Sequence, residues 1–180
     1  MNKSDKFIED LKFSVNNQHL IDDEYVKNGY SIMERYNQSY KANWDRDLHI
    51  DAKVRYKGLV DFTFQEKLLR YKFSHYNTFT MEYKQNWRKN IDGEFFHINS
   101  QYYFHGYVNE ELDGIDKWAI IDVAKFRTYV IDKRLLEYPS GCGCALYINK
   151  PLNQNASFLQ IKYEFIPEDC VIKSFNTQKQ

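Results

Sequence analysis

The residues best equipped for chemistry fall between positions 49 and 84. Asp51 offers a carboxylate, Gln65 an amide oxygen, Lys67 an ammonium and Glu82 a second carboxylate. A carboxylate and another oxygen ligand together hold a hard divalent cation with several of its waters. An ammonium beside them orients the attacking water, helps to deprotonate it and offsets charge that develops at phosphorus. The expected chemistry is therefore metal-assisted hydrolysis of a phosphodiester, with Asp51, Gln65 and Glu82 as metal ligands and Lys67 acting on the water. A rival frame uses Asp61 with Glu82-Tyr83-Lys84 and has an acid where the first has Gln65.

For those side chains to meet, the chain must place them on one surface, and its alternation does so. Ile50, Ala52 and Val54 alternate with Asp51, Lys53 and Arg55; Val60, Phe62 and Phe64 alternate with Asp61, Thr63, Gln65 and Lys67; Phe79, Met81 and Tyr83 alternate with Thr78, Thr80, Glu82 and Lys84. Each reads as a strand with one apolar and one polar face. A turn at Lys57-Gly58-Leu59 makes the first two an antiparallel hairpin. If their polar faces coincide, the register sets Asp51 opposite Gln65, with Cβ atoms ~5 Å apart. Lys67 follows two residues along on the same face, while Asp61 falls beside Arg55 at the turn end. Glu82 and Lys84 would join this polar face from the third strand.

Around the strands, acidic Asp22, Asp23 and Glu24 precede Tyr25, Ile32, Met33 and Tyr36, a spacing that predicts a helix from Asp22 to about Asn37, with a shorter one at 5–14. The aromatic stretch from Phe95 to Tyr107 reads as a helix ending near Gly106. It would cross over to a strand buried on both faces at Trp118-Ala119-Ile120-Ile121-Asp122-Val123. Residues 124–137 read as helical, and one or two strands are expected between Cys144 and Phe175. The predicted class is α/β: a helix, a three-strand antiparallel meander, a helix and a further buried strand, giving a mixed central sheet flanked by helices.

The run His49-Ile50-Asp51-Ala52-Lys53-Val54, followed fourteen residues after Asp51 by Gln65-Glu66-Lys67, resembles the signature of the PD-(D/E)XK, or restriction-endonuclease-like, nucleases. In that signature an aspartate begins one strand and acid-x-lysine ends the next. The predicted element order is similar to the core of that superfamily over roughly residues 22–125, with 126–180 a C-terminal elaboration of the same single domain. Ile50 stands at the nominal proline. Gln65 replaces the acid and resembles the Q-x-K variant of some members. The resemblance implies a DNA endonuclease using Mg²⁺, with Mn²⁺ able to substitute. Many members add a glutamate from the helix before the meander, for which Glu34 is the candidate here.

Composition sets the remaining bounds. A chain of 180 residues, 43% hydrophobic and 17% aromatic, suits one domain with a substantial core. No stretch approaches the ~20 apolar residues of a membrane span, and the start lacks the apolar run of a signal peptide, so a cytoplasmic protein is expected. Three cysteines, two of them in Cys142-Gly143-Cys144, suggest neither a disulfide framework nor a closed zinc site. The glycines match no phosphate-cradling spacing.

Net charge is zero, yet residues 51–90 carry nine Lys/Arg against four Asp/Glu, and 92–122 carry one Lys against seven acids. The basic segment reads either as ordinary solvated surface or as a phosphate-contacting strip through Arg70, Lys72, His75 and Lys84. Two functions follow. Intact Asp51, Lys67 and Glu82 favour a metal-dependent DNA endonuclease, for which a homodimer would be one way to cut both strands. The neutral balance and the missing acid at Gln65 favour a catalytically inactive relative that binds nucleic acid or protein.

Overall fold

The computed structural model describes residues 3–36, 45, 47–137, 146–150 and 156–176. The first helix, α1 (Lys3–Lys27), ends where the sequence supplies a stop. Asn28 donates its side-chain amide to the Glu24 carbonyl at 2.7 Å, and Gly29 takes φ +81°, a left-handed conformation open to glycine. The chain passes at once into β1 (Tyr30–Arg35). The helix expected over 22–37 is thus two elements, the end of α1 and a strand. Tyr25, Ile32, Met33 and Tyr36 fit a helical stripe only if the Asn28-Gly29 stop is read through. In β1, Tyr30 is buried while Ser31 and Met33 face out, which is strand alternation.

β2 (Ala52–Tyr56) and β3 (Val60–Leu69) form the expected hairpin in the expected register, with Ala52 paired to Phe64 and Arg55 to Asp61. Lys57 and Gly58 make the turn with φ of +47° and +71°. β1 runs antiparallel along the other edge of β2, so the meander is β1, β2 and β3. The expected third strand lies elsewhere. A 3₁₀ segment (Tyr71–Tyr76) carries the chain out of the sheet, and β4 (Thr78–Asn86) pairs instead with β5 (Ile91–Asp92) and β9 (Ser157–Lys162).

What takes the free edge of β3 is a stretch expected to be helical. Only Glu94–His97 forms a helical turn, α2; Tyr102–Val108 is a strand, β6, parallel to β3, with Gln65 beside Tyr103 and Lys67 beside His105. Aromatic residues suit a pleated sheet, and a central strand buried on both faces shows no alternation to reveal it. β7 (Ile115–Asp122) is the buried strand expected near Trp118, but it returns antiparallel to β6 through a short turn rather than by a helical crossover. The helix after it, α3 (Val123–Asp132), starts on Asp122, whose carboxylate accepts the Lys125 amide at 3.0 Å.

The result is a six-stranded mixed sheet, ordered β1-β2-β3-β6-β7-β10, and a four-stranded antiparallel sheet, ordered β5-β4-β9-β8. β8 is Tyr147–Ile148 and β10 is Val171–Asn176. Because β9 completes one sheet and β10 the other, the C-terminal third is part of the core rather than an elaboration of one spanning 22–125. Leu20, Ile21 and Tyr25 of α1 cover one face of the large sheet against Ala52, Val54, Phe64 and Phe104. The opposite face is covered by the small sheet and α3, where Phe79, Met81, Leu159 and Phe126 pack on Tyr103 and Ile121. Each such side chain contributes about 1.5–3 kcal/mol by leaving water. No helix among the described residues is long and apolar enough to cross a membrane.

Candidate active site

Alternation along β3 divides its last residues between the two faces. Phe64, Glu66 and Leu68 point toward α1, and Gln65 and Lys67 toward the small sheet. There Gln65 and Lys67 meet Glu82 from β4, Glu94 at the start of α2, and His49, around a cavity of about 270 Å³ floored by Tyr103. Glu82 thus reaches Lys67 from the facing sheet, not from a neighbouring strand of the same one as the alternation suggested. Gly93 permits this approach: a Cβ there would lie 2.9 Å from both the Glu82 carbonyl oxygen and Glu82 Cγ.

The charges in this cavity are poorly satisfied. Lys67 makes no ion pair among the described residues, and its Nζ lies 4.5 Å from the centre of the Phe158 ring. Burial lowers its pKa, against the opposing pull of Glu94 and Glu82. Burial and the neighbouring Glu94 raise the Glu82 carboxyl, with Lys67 and His49 acting the other way. Glu94 is better held, its Oε2 accepting the Tyr103 hydroxyl at 3.0 Å and the Glu82 amide at 3.3 Å. Burial, then Glu94 and, more weakly, Asp51 and Glu82, keep the Tyr103 hydroxyl protonated far above its ordinary value, which puts three carboxylates within electrostatic reach of one phenol.

Asp51 sits on the far side of Gln65. Its amide donates to the Phe64 carbonyl at 2.8 Å, and its Oδ2 accepts the Glu66 amide at 2.7 Å. The carboxylate therefore takes a place that backbone would fill in a regular ladder. Burial, then Glu66 and Asp45, raise its pKa. It lines a second hollow, of about 550 Å³, with Asp45, Gln65, Glu66 and residues of α1 including Ser14 and Gln18. Gln65 and its neighbour Glu66 line both hollows, so this stretch of β3 stands between them. The Gln65 Oε1 is buried and has no hydrogen-bond partner in the structure. That orphaned acceptor beside a carboxylate suits a hard cation, which would take Asp51 and Gln65 as ligands, while Glu82 lines the other hollow. Among the described residues no three Asp, Glu, His or Cys side chains form a ready-made cage.

The other expected residues lie apart. Asp61 accepts from Arg55 at 2.6 Å and pairs with Lys53 at 2.9 Å at the turn end, and those partners lower its pKa. Lys84 is buried in an ion pair with Asp92, so the rival frame of Asp61, Glu82 and Lys84 is not assembled. Glu34 lies on β1 opposite Lys53, not on a helix. Arg70 pairs with Asp10 of α1 at 2.9 Å and lies over the Phe13 ring, whereas Lys72 lies over Phe73 and the His75 ring against Tyr76. Cys142 and Cys144 fall outside the described residues; Cys170 is buried, its thiol pushed up to about 11 by burial.

Two acids escaped the sequence reading. Glu66, in the variable position of Gln65-Glu66-Lys67, forms a buried ion pair with Arg35, which also holds Asp22. The signal was available: in Phe62, Phe64, Glu66, Leu68 it is the charged residue of the apolar face and demands a partner. Glu94 gave no such signal, because its role comes from the sharp approach at Gly93. No protein-family model, no curated protein and no solved structure matches this chain.

Proposed function

We propose that the protein is a metal-dependent DNA endonuclease of the PD-(D/E)XK kind, with its active site around Gln65. The observation that carries this reading is the place of Gln65: an unpartnered buried oxygen, with the Asp51 carboxylate on one side and, on the other, the Lys67 ammonium, which has no ion pair among the described residues. Two further features support it. Helix, three-strand antiparallel meander, short helix and parallel strand follow one another from α1 to β6, as in that superfamily's core, with the β4 hairpin inserted. Asp51 and Glu82 are both driven toward protonation by burial and by neighbouring carboxylates, the condition of acidic ligands without their cation.

A bound divalent cation would polarise the phosphoryl oxygen and lower the pKa of its water. Asp51 and Gln65 would fix its place, with Glu82 adding charge that Gln65 lacks. Lys67 presents its ammonium from the adjoining hollow, across Gln65 from Asp51, where it would orient the attacking water and stabilise charge on the phosphate; low local dielectric strengthens both effects. Tyr103, kept protonated, and Glu94, hydrogen-bonded to it, position the floor of the cavity.

The test is cleavage of plasmid and single-stranded DNA with Mg²⁺, Mn²⁺ or EDTA, alongside calorimetric metal binding. Asp51→Asn keeps an acceptor for the Glu66 amide while removing the charge, and should lose both metal and cleavage. Lys67→Met should keep metal and lose at least about a hundredfold in rate. Gln65→Glu should preserve or tighten metal binding. Full cleavage by Asp51→Asn would overturn the assignment. A second reading, a nuclease-like fold that only binds, is favoured by the neutral amide at Gln65 and by the use of an Asp51 oxygen on backbone. It predicts DNA binding with neither metal uptake nor cleavage.

A further inference from the structure

Next to the carboxylate cavity lies a larger hollow, of about 450 Å³, whose walls are of a different kind. Phe158 and Lys67 belong to both. The rest of its lining is mainly aromatic and apolar: Phe73 and Tyr76 from the 3₁₀ segment, Leu69 at the end of β3, and Tyr107 at its base. Tyr107 is fully buried and its hydroxyl is held by Thr78, so it is fixed structure. Phe73 and Tyr76 are not. They are 40% and 57% exposed at the mouth, although a folded chain gains nothing by presenting two large rings to water beside an open cavity. The polar group available inside is Gln160 of β9, whose side chain has no hydrogen-bond partner among the described residues.

Flat apolar walls, one amide able to donate and accept, and an ammonium at the edge suit a planar heterocycle attached to a phosphate. Resting on the nuclease reading above, we infer that this hollow receives an unpaired nucleobase next to the phosphate held at Lys67, so that the preferred substrate is single-stranded DNA or DNA with a displaced base. The volume falls within the range of small-molecule sites. A base stacked and paired within a duplex cannot lay its faces against the rings of this hollow, so the nucleotide must be single-stranded or turned out of the duplex. Stacking against Phe73, Tyr76 and Phe158 is tolerant of sequence, because every base has a π face, whereas Gln160 can bias the choice through the base edge. Lys72, over the Phe73 ring, lies where the backbone of the entering strand would run.

The experiment compares a ten-residue oligothymidylate with a fully abasic oligomer of equal length and charge. Binding is read in EDTA by fluorescence anisotropy, so that no cleavage intervenes. The wild type should bind the thymidylate at least ~10-fold more tightly. Phe73→Ala with Tyr76→Ala should weaken thymidylate binding ~5- to ~100-fold and leave the abasic oligomer unchanged. Both side chains are exposed, so folding is not at risk, and Phe73→Trp with Tyr76→Trp should restore the preference. Equal binding of the two oligomers, or a preference that survives the alanine pair, overturns the inference. Because cleavage is scored separately, the two readings fail separately: metal-dependent cutting without base preference removes the pocket's role alone. Base preference that the alanine pair abolishes, without cutting in any metal, removes the nuclease reading and keeps the pocket.

Discussion

β3 carries ionised groups to both faces of the six-stranded sheet, and the two faces treat them differently. Toward α1, Glu66 is almost wholly buried, but Arg35 reaches it from β1, Asp22 completes the pair from α1, and the Tyr25 hydroxyl adjoins it. Toward the small sheet, Lys67 is half-buried, yet its nearest carboxylates stay at a distance and its ammonium rests on an aromatic ring. A buried ion pair completed from three elements fixes how those elements fit together. A half-buried ammonium with no ion pair among the described residues costs stability that the fold does not require. That difference separates a structural charge from one held for a ligand.

The comparison breaks or stands on two substitutions. Glu66→Gln leaves Arg35 in a desolvated position with half its partners, and should cost about 3 kcal/mol in urea denaturation. Lys67→Met keeps the volume and removes the unpaired charge, so the variant should lie within about 1 kcal/mol of the wild type, or above it. Equal losses for the two would mean that Lys67 is as structural as Glu66.

Titration sharpens the same contrast. Asp51 and Glu82 have folded-state pKa values raised by burial and by carboxylate neighbours, and Glu66 is raised by burial against the pull of Arg35. A carboxyl raised in the folded state binds more protons there than in the unfolded chain. Its contribution to stability is therefore present at acid pH and is lost as pH climbs through the folded value. Lys67, lowered by burial, works in the opposite sense at its own higher range, losing stability as pH falls through its folded value. Unfolding free energy should decline above the ordinary carboxylate range by up to about 1.4 kcal/mol per pH unit for each group titrating. The double change Asp51→Asn with Glu82→Gln should flatten that decline, and Mg²⁺ should oppose it in the wild type. A slope unaltered by the double change would place the titration elsewhere.

How much of this was legible beforehand depends on the range of the interaction. The β2–β3 register could be read because a short turn and matched alternation are local facts, and it brought Asp61 beside Arg55 as expected; Asp51, one residue before the ladder, instead bonds the backbone of Phe64 and Glu66 on either side of Gln65. The strand at Trp118 could be read because a short, continuous apolar run is what a strand buried on both faces requires. The partner of each strand could not. β4 alternates as cleanly as β3, yet nothing in its own residues says that it pairs with a strand some eighty positions later. β6 was hidden by being buried on both faces. Glu82 therefore reached the right cavity by an unforeseen route, and Glu94 was invisible because its place depends on Gly93 packing against β4.

The smallest expected effect concerns two basic residues that the sequence treats alike. Arg70 and Lys72 both belong to the basic segment, but Arg70 is held to α1 by Asp10 and by the Phe13 ring, whereas Lys72 lies over the ring of Phe73 and makes no ion pair among the described residues. A cation already paired on the surface releases little counterion when DNA arrives; a free one at the mouth of the aromatic hollow releases about one. Lys72→Ala should therefore reduce the slope of log K against log salt for single-stranded DNA by about 0.7, with protein stability unchanged. Arg70→Ala should leave the slope nearly intact and cost about 0.5 kcal/mol of folding, the scale of an exposed pair. If Arg70→Ala flattens the slope as much as Lys72→Ala does, its contact with Asp10 opens on binding, and α1 forms one wall of the DNA path.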